Sequence, residues 1–158
     1  MPFWSRGNGW ALWAVSNILE VMPAKHPLYR KLMAHYRRHL DSLIALQDES
    51  GLWHNVLDMP SSYLETSGTA IFALCIARGV RLGWLNAKRY APVARKAWAG
   101  IETMIDKDYM VHGITVGTNC TTDVSYYTER PTALNDCHGL FPVISAAVEM
   151  DKMERKLK

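Results

Sequence analysis

Three short runs of this chain hold the residue types that could do chemistry. The first is Phe3-Trp4-Ser-Arg6-Gly-Asn-Gly-Trp10, with Trp13 one turn further on. Indole faces beside a guanidinium suit a sugar ring that carries a carboxylate: the C–H face packs on tryptophan while arginine binds the carboxylate oxygens. The second runs from Gly51-Leu-Trp-His54 through Asp58 to Tyr63-Leu-Glu65-Thr-Ser-Gly-Thr69. It brings His54, Asp58 and Glu65 together as groups that donate, accept or carry protons. The third is Tyr126-Tyr127-Thr-Glu-Arg130, followed by Asn135-Asp136-Cys-His138-Gly139. Sequence spacing alone does not identify a catalytic pair of carboxylates, because their separation in space decides it.

Each of these runs has a plainer reading. Glu65 and Asp136 precede apolar runs as helix caps do, and Trp4, Trp10 and Trp13 are large enough to be core wherever they fall. Other patterns fail. His35 and His39 have i,i+4 spacing but enclose Tyr-Arg-Arg, without the glutamate of a metalloprotease helix. Gly7-x-Gly9 follows no strand and lacks the third glycine of a dinucleotide fingerprint. Neither pattern therefore points to zinc or to a dinucleotide.

The elements that must position these groups follow from hydrophobic periodicity. Five helices are predicted: Gly9 to Met22, Pro27 to Gln47, Tyr63 to Val80, Ala87 to Lys107 and Gly139 to Met153. Long loops fill 48–62 and 108–138, and the only strand-like alternation lies near Met110 to Val116. The second and fourth helices carry charge along one side, as outer helices do. The first, third and fifth (WALWAVSNIL, AIFALCIA, LFPVISAAV) are apolar nearly all round and are expected to be buried on every face. The order inner, outer, inner, outer, inner is that of an all-α toroid of hairpins. A charged residue, two spacers and a glycine introduce each inner helix, at Arg6–Gly9, Glu65–Gly68 and Asp136–Gly139. Parallel inner helices would gather these ends at one rim, where unpaired N–H groups and helix dipoles favour oxygens and anions.

Composition bounds the rest. The 158 residues are 49% apolar and 21% charged with a net charge of +3, which fits one globular domain, or part of one, and excludes a disordered chain. So small a charge gives no electrostatic footprint for nucleic acid. No apolar stretch reaches the roughly 18 residues of a membrane span, and no basic-then-apolar leader opens the chain. Three cysteines without C-x-x-C spacing fit a reducing compartment, so a cytoplasmic location is expected, where the Asn119-Cys-Thr121 sequon would meet no glycosylating enzyme.

Taken in order, W-S-R-G-N-G-W, G-L-W-H, Y-L-E-T-S-G-T and N-D-C-H-G resemble glycoside hydrolase family 105, the unsaturated rhamnogalacturonyl hydrolases, from Phe3 to about Met150. The resemblance implies an (α/α)6 barrel acting without metal or cofactor on pectin-derived oligosaccharides that end in a 4,5-unsaturated galacturonic acid. In that chemistry an aspartic acid protonates C4 of the double bond while water adds at C5, and the resulting hemiketal opens and expels the aglycone. Uronyl binding is thereby implied for Arg6 and Trp10, with Trp4 nearby; the rim adds His54, Glu65, Tyr127 and His138 as substrate-binding candidates. The resemblance begins in the second half of family domains, so no catalytic residue is expected here: Asp58, Asp123 and Asp136 lie outside the motif of the acid. Five helices form an incomplete toroid, and either self-association or a missing N-terminal half is expected to cover its flanks. Three readings compete: an unsaturated uronyl hydrolase inactive by itself, a non-catalytic self-associating sugar-binding or structural module, and an (α/α)6 sugar epimerase relative.

Overall fold

The computed structural model describes residues 2–158, and its frame is helical. Five long helices run over Ser5–Val21 (α1), Tyr29–Ile44 (α2), Thr66–Arg81 (α3), Ala87–Thr103 (α4) and Cys137–Leu157 (α6). A five-residue helix, Val124–Thr128 (α5), lies in the long loop before α6 and was not foreseen; its turn is nucleated by Asp123, whose carboxylate accepts from the Ser125 N–H. Four two-residue strands pair as two antiparallel ribbons: Trp53–His54 (β1) with Leu64–Glu65 (β2), and Ile114–Thr115 (β3) with Thr132–Ala133 (β4). The alternation near Met110 to Val116 therefore marks a real strand, and Val111 adds a bridge to Ile105.

Several predicted ends move by a few residues, each for a local reason. The first helix starts at Ser5, so most of the aromatic-arginine run lies inside it, with Trp4 at the N-cap. The third starts at Thr66 because Leu64 and Glu65 are spent in the ribbon with β1. The fourth stops at Thr103, where the chain turns back through the Ile105–Val111 bridge.

The core is organised around α3, which packs on α1, α4 and α6. Every residue of α3 except Arg81 is buried, so its uniformly apolar sequence has the predicted consequence. For α1 and α6 burial is one-sided, as the uncovered flanks expected of an incomplete toroid require. On α1 the buried residues are Ser5, Arg6, Gly9, Leu12, Trp13, Ser16 and Leu19, which form a single face toward α3. Trp10, Ile18 and Val21 of α1 and Phe141, Ile144 and Val148 of α6 are exposed. An all-round apolar helix is buried all round only if neighbours stand on every side, and within this chain only α3 has them.

Close approach of the inner helices depends on glycine. A Cβ on Gly68 would lie 2.1 Å from Ser5 Oγ, and one on Gly139 would lie 2.5 Å from Ile114 Cγ1. The glycines of the repeated introduction are thus packing positions, where backbone meets the neighbouring element directly. Among the described residues no helix is long and apolar enough to cross a membrane.

Candidate functional site

The N-terminal ends of α1, α3 and α6 do meet at one rim, tied together by buried polar side chains. Arg6, in the first turn of α1, is 1% exposed. Its Nη1 donates to Ser67 Oγ at the start of α3 (3.2 Å) and to the Thr115 carbonyl. Its Nη2 donates to the Val116 carbonyl (2.7 Å) and to Thr118 Oγ1 (3.3 Å), and its guanidinium lies 5.2 Å from the Trp4 ring centroid. Burial lowers the Arg6 pKa, opposed first by Glu65 and then by Asp136, so both capping carboxylates act on this one cation.

Glu65 caps α3. One carboxylate oxygen accepts from Ser67 N (3.1 Å), Ser67 Oγ (2.5 Å) and Thr115 N (3.1 Å), and the other accepts from Gly68 N (2.6 Å). The carboxylate is wholly buried, which gives Glu65 the capping role rather than the ligand contact expected of it. Asp136 caps α6 by accepting from His138 N at 2.9 Å and faces the His138 Nδ1 at 2.6 Å. Partial burial pushes the Asp136 carboxyl up, but the His138 N–H, the His138 ring and Arg6 outweigh it, and the carboxyl lies below its ordinary value.

The third repeated charge therefore behaves like the second, whereas the first does not. Arg6 caps nothing; as a cation near a helix N-terminus it is stabilised by carbonyl oxygens from another segment and by the two carboxylates.

The other sequence candidates divide by exposure. Tyr127 is 2% exposed; its ring packs 5.7 Å from that of Trp4, its hydroxyl accepts from Thr121 N (3.0 Å) and its carbonyl accepts from Asn55 Nδ2 (2.8 Å). It organises the 119–127 loop from within. His54 is turned toward the 48–62 loop, with Nδ1 2.5 Å from the Ser62 carbonyl and Nε2 3.5 Å from Asp48 Oδ2, so it braces that loop instead of joining the rim groups. Trp10 is 40% exposed and stacks on Trp13 at 5.6 Å, and Trp13 in turn stacks on Phe141 of α6 at 5.4 Å. The His138 side chain is 41% exposed. With Nδ1 held by Asp136, its Nε2 is the nitrogen left to a ligand, and it lies on the side of Gly117, where an added Cβ would be 3.8 Å away.

Three residues that sequence reasoning did not single out complete the rim: Ser67, Asn55 and Thr115. Thr115 bonds Tyr63 Oη through Oγ1 at 2.8 Å while its N–H serves Glu65 and its carbonyl serves Arg6. Ser67 had a signal, its place in the E-T-S-G-T run; Asn55 and Thr115 had none. Among the described residues, the buried side-chain polar atoms without a partner are Trp4 Nε1, Ser5 Oγ and Arg6 Nε, three consecutive residues at this rim. Buried polar groups are nearly always paired, so unsatisfied donors collected in one place mark it as a site that stability alone does not explain. Beside Trp4 a hollow of about 230 Å³ opens between Gly7, Asn8, Ala11, Cys120, Thr121 and Tyr127.

Asp136, Cys137 and His138 bring a carboxylate, a thiol and an imidazole within 4.8 Å of one another. The Asp136 oxygen that a cation would need is already shared by the His138 N–H and ring, and a tetrahedral zinc site takes four ligands, so the trio is a helix cap more than a chelate.

Comparison with known proteins accords with this geometry. The chain is 33% identical to the unsaturated rhamnogalacturonyl hydrolase YesR of Bacillus subtilis (strain 168) over 129 residues, which is 82% of this chain and 36% of that protein. It is 32% identical to protein Atu3128 of Agrobacterium fabrum, covering 92% of this chain and 70% of that one. The crystal structure of a possible family 105 member from Salmonella enterica serovar Paratyphi A superposes with a TM-score of 0.82 at 33% identity, over 98% of this chain and 39% of that one. The chain thus spans about a third of the first curated relative it matches, and its helices follow the (α/α)6 toroid of its structural neighbours. A family model matches residues 1–154, and on that ground the chain belongs to Glycosyl Hydrolase Family 88, alongside proteins of the family 105 type.

Proposed function

We propose that this chain carries the uronyl-binding rim of an unsaturated rhamnogalacturonyl-type hydrolase, and that the aspartic acid which protonates the substrate double bond lies outside these 158 residues. The family match over residues 1–154 carries this reading. The rim geometry supports the residue roles. Trp10, exposed and stiffened by its stack on Trp13, offers the sugar a flat apolar face. His138, fixed by Asp136, offers Nε2 to a substrate hydroxyl or carboxylate. Trp4 walls the adjoining hollow, while its indole N–H is buried and unpaired. Arg6 acts mainly through position: four of its five N–H groups hold the 115–118 segment and α3, and only Nε is free. The substrate class is an oligosaccharide ending in a 4,5-unsaturated uronic acid, hydrated at the double bond. The module and epimerase readings have no comparable support in the relatives.

The test pairs binding with turnover. Titration of the folded chain with an unsaturated rhamnogalacturonan disaccharide should quench tryptophan fluorescence, and Trp10→Ala should abolish most of that quenching while the circular dichroism stays unchanged. The ultraviolet absorbance of the conjugated sugar should persist with this chain alone, since hydration needs the acid. A folded chain that neither binds the disaccharide nor is altered by Trp10→Ala would overturn the assignment of the rim; loss of absorbance would overturn the placement of the acid.

A further inference from the structure

His138 offers a ligand one edge of its ring, and Gly117 borders that edge. A Cβ added at Gly117 would lie 3.5 Å from His138 Cε1 and 3.8 Å from Nε2, which is contact distance. The bare glycine therefore leaves room beside Nε2 that any side chain would fill. Backbone conformation does not demand glycine there, because Gly51, Gly83 and Gly113 have positive φ and Gly117 does not. The opposite side of the ring is fixed, with Nδ1 2.6 Å from Asp136 Oδ1.

Two guanidinium groups hold the segment that carries Gly117. Arg6 takes the Thr115 and Val116 carbonyls and Thr118 Oγ1. The Gly117 carbonyl between them goes to Arg130, which donates through Nε (3.1 Å) and through Nη2. Arg130 is half-buried and is itself placed by the loop: its guanidinium lies 5.0 Å from the Tyr126 ring centroid, and the Tyr126 hydroxyl accepts from Asn119 N at 3.2 Å. Next to it, the Pro131 carbonyl accepts from Val116 N at 3.1 Å. Arg6 thus serves α3 and the segment together, whereas both side-chain bonds of Arg130 end on the one carbonyl beside His138. Two charge-assisted donors on one carbonyl fix the plane of that peptide.

We infer that Arg130 is a positioning residue for His138. By holding the Gly117 carbonyl it sets the gap through which a sugar hydroxyl or carboxylate reaches Nε2, and glycine at 117 sets the width of that gap. A binding group works only when its neighbours hold it within about 0.5 Å of the productive geometry, so a slack Gly117 peptide would blunt the imidazole without touching the ligand. The ligand comes from the sugar-binding reading above, on which the inference rests in that respect; the placement of Gly117 by Arg130 does not depend on it.

The first readout needs no ligand. In the NMR spectrum of the histidine rings, with His138 identified by its loss in His138→Ala, Arg130→Met should shift the His138 Cε1 proton and leave that of His26 in place. The second is a double-mutant cycle on disaccharide affinity, read by tryptophan fluorescence. His138→Ala and Arg130→Met should each weaken binding about tenfold, and the double variant should bind no more weakly than His138→Ala alone. Gly117→Ala, which keeps the carbonyl that Arg130 holds, should weaken binding when His138 is present and change nothing in the His138→Ala chain. A His138 signal unmoved by Arg130→Met overturns the inference. Additive losses in the cycle do so too, since a loop staple that serves stability alone would give them. Should Arg130→Met not fold, Gly117→Ala decides: equal losses with and without His138 overturn the inference. A wild type that ignores the disaccharide while its His138 signal responds to Arg130→Met overturns the sugar-binding reading and supports the placement of Gly117.

Discussion

The two ends of the inner helices bury charge in opposite ways. At the C-terminal end, Arg78 and Arg81 from the last turn of α3 reach Glu149 of α6 at 3.4 and 2.6 Å. Arg78 also donates to Ser16 at 2.9 Å and to Asn17, while Arg81 reaches Glu20 of α1 at 3.1 Å. Arginines lie where the α3 dipole is negative, and among the described residues no buried polar side-chain atom there lacks a partner. At the N-terminal end, carboxylates cap two helices, a lone buried arginine spans three segments, and three polar atoms stay unpaired. Both ends fasten α1, α3 and α6 together. The closed network behaves as a structural clasp, whereas the rim leaves buried polar atoms unpaired, a contrast that supports the proposed binding role of the rim.

Removing one member of each network should make that contrast measurable. Glu149→Ala would leave Arg78 and Arg81 without their shared carboxylate, and breaking a buried ion pair from one side costs about 3–5 kcal/mol, so this should be the largest loss in chemical denaturation. Glu65→Ala removes the α3 cap and orphans buried donors, for an expected loss of about 2–3 kcal/mol; because the same oxygens hold Thr115, it should weaken disaccharide binding too, which Glu149→Ala at equal folded fraction should not. Gly68→Ala drives a methyl into Ser5 Oγ, an overpacking worth about 1–3 kcal/mol, and Ser5→Ala in the same chain should return part of it. If the two substitutions prove additive, the contact between the α1 and α3 ends is looser than the geometry states.

The smallest effect is a pH dependence confined to the rim. The folded Asp136 carboxyl lies below its ordinary value, so it contributes stability that is complete above the unfolded aspartate pKa and is lost as pH falls through the lower folded one. Urea midpoints measured between neutral and acidic pH should therefore fall less steeply for Asp136→Asn than for the wild type. Equal slopes would mean that the His138 and Arg6 contacts give the carboxylate no net advantage in the folded state.

Much of the frame was legible in the sequence because helix-forming signals are local. The all-α class, five long helices, the inner-outer order and the gathering of Arg6, Glu65 and Asp136 at one end all follow from period, caps and glycines. Glu65 shows the limit: as cap or as ligand contact it would look the same in sequence, and only the four donors converging on its two oxygens separate the roles. Arg6 shows it again, because its partners at Thr115 and Val116 are more than a hundred residues away and come from a loop with no periodic signal.

What the sequence determined by itself was the kind of helix at each position and the residue types at each helix start, since hydrophobic spacing and capping act within a few residues along the chain. What only the tertiary structure decided was which apolar faces find partners and which polar groups are spent. Burial of α3 and exposure of Phe141, Ile144 and Val148 on α6 arise from similarly apolar sequences. The difference is the number of neighbours that the fold provides, a property of the packed chain and of no single segment.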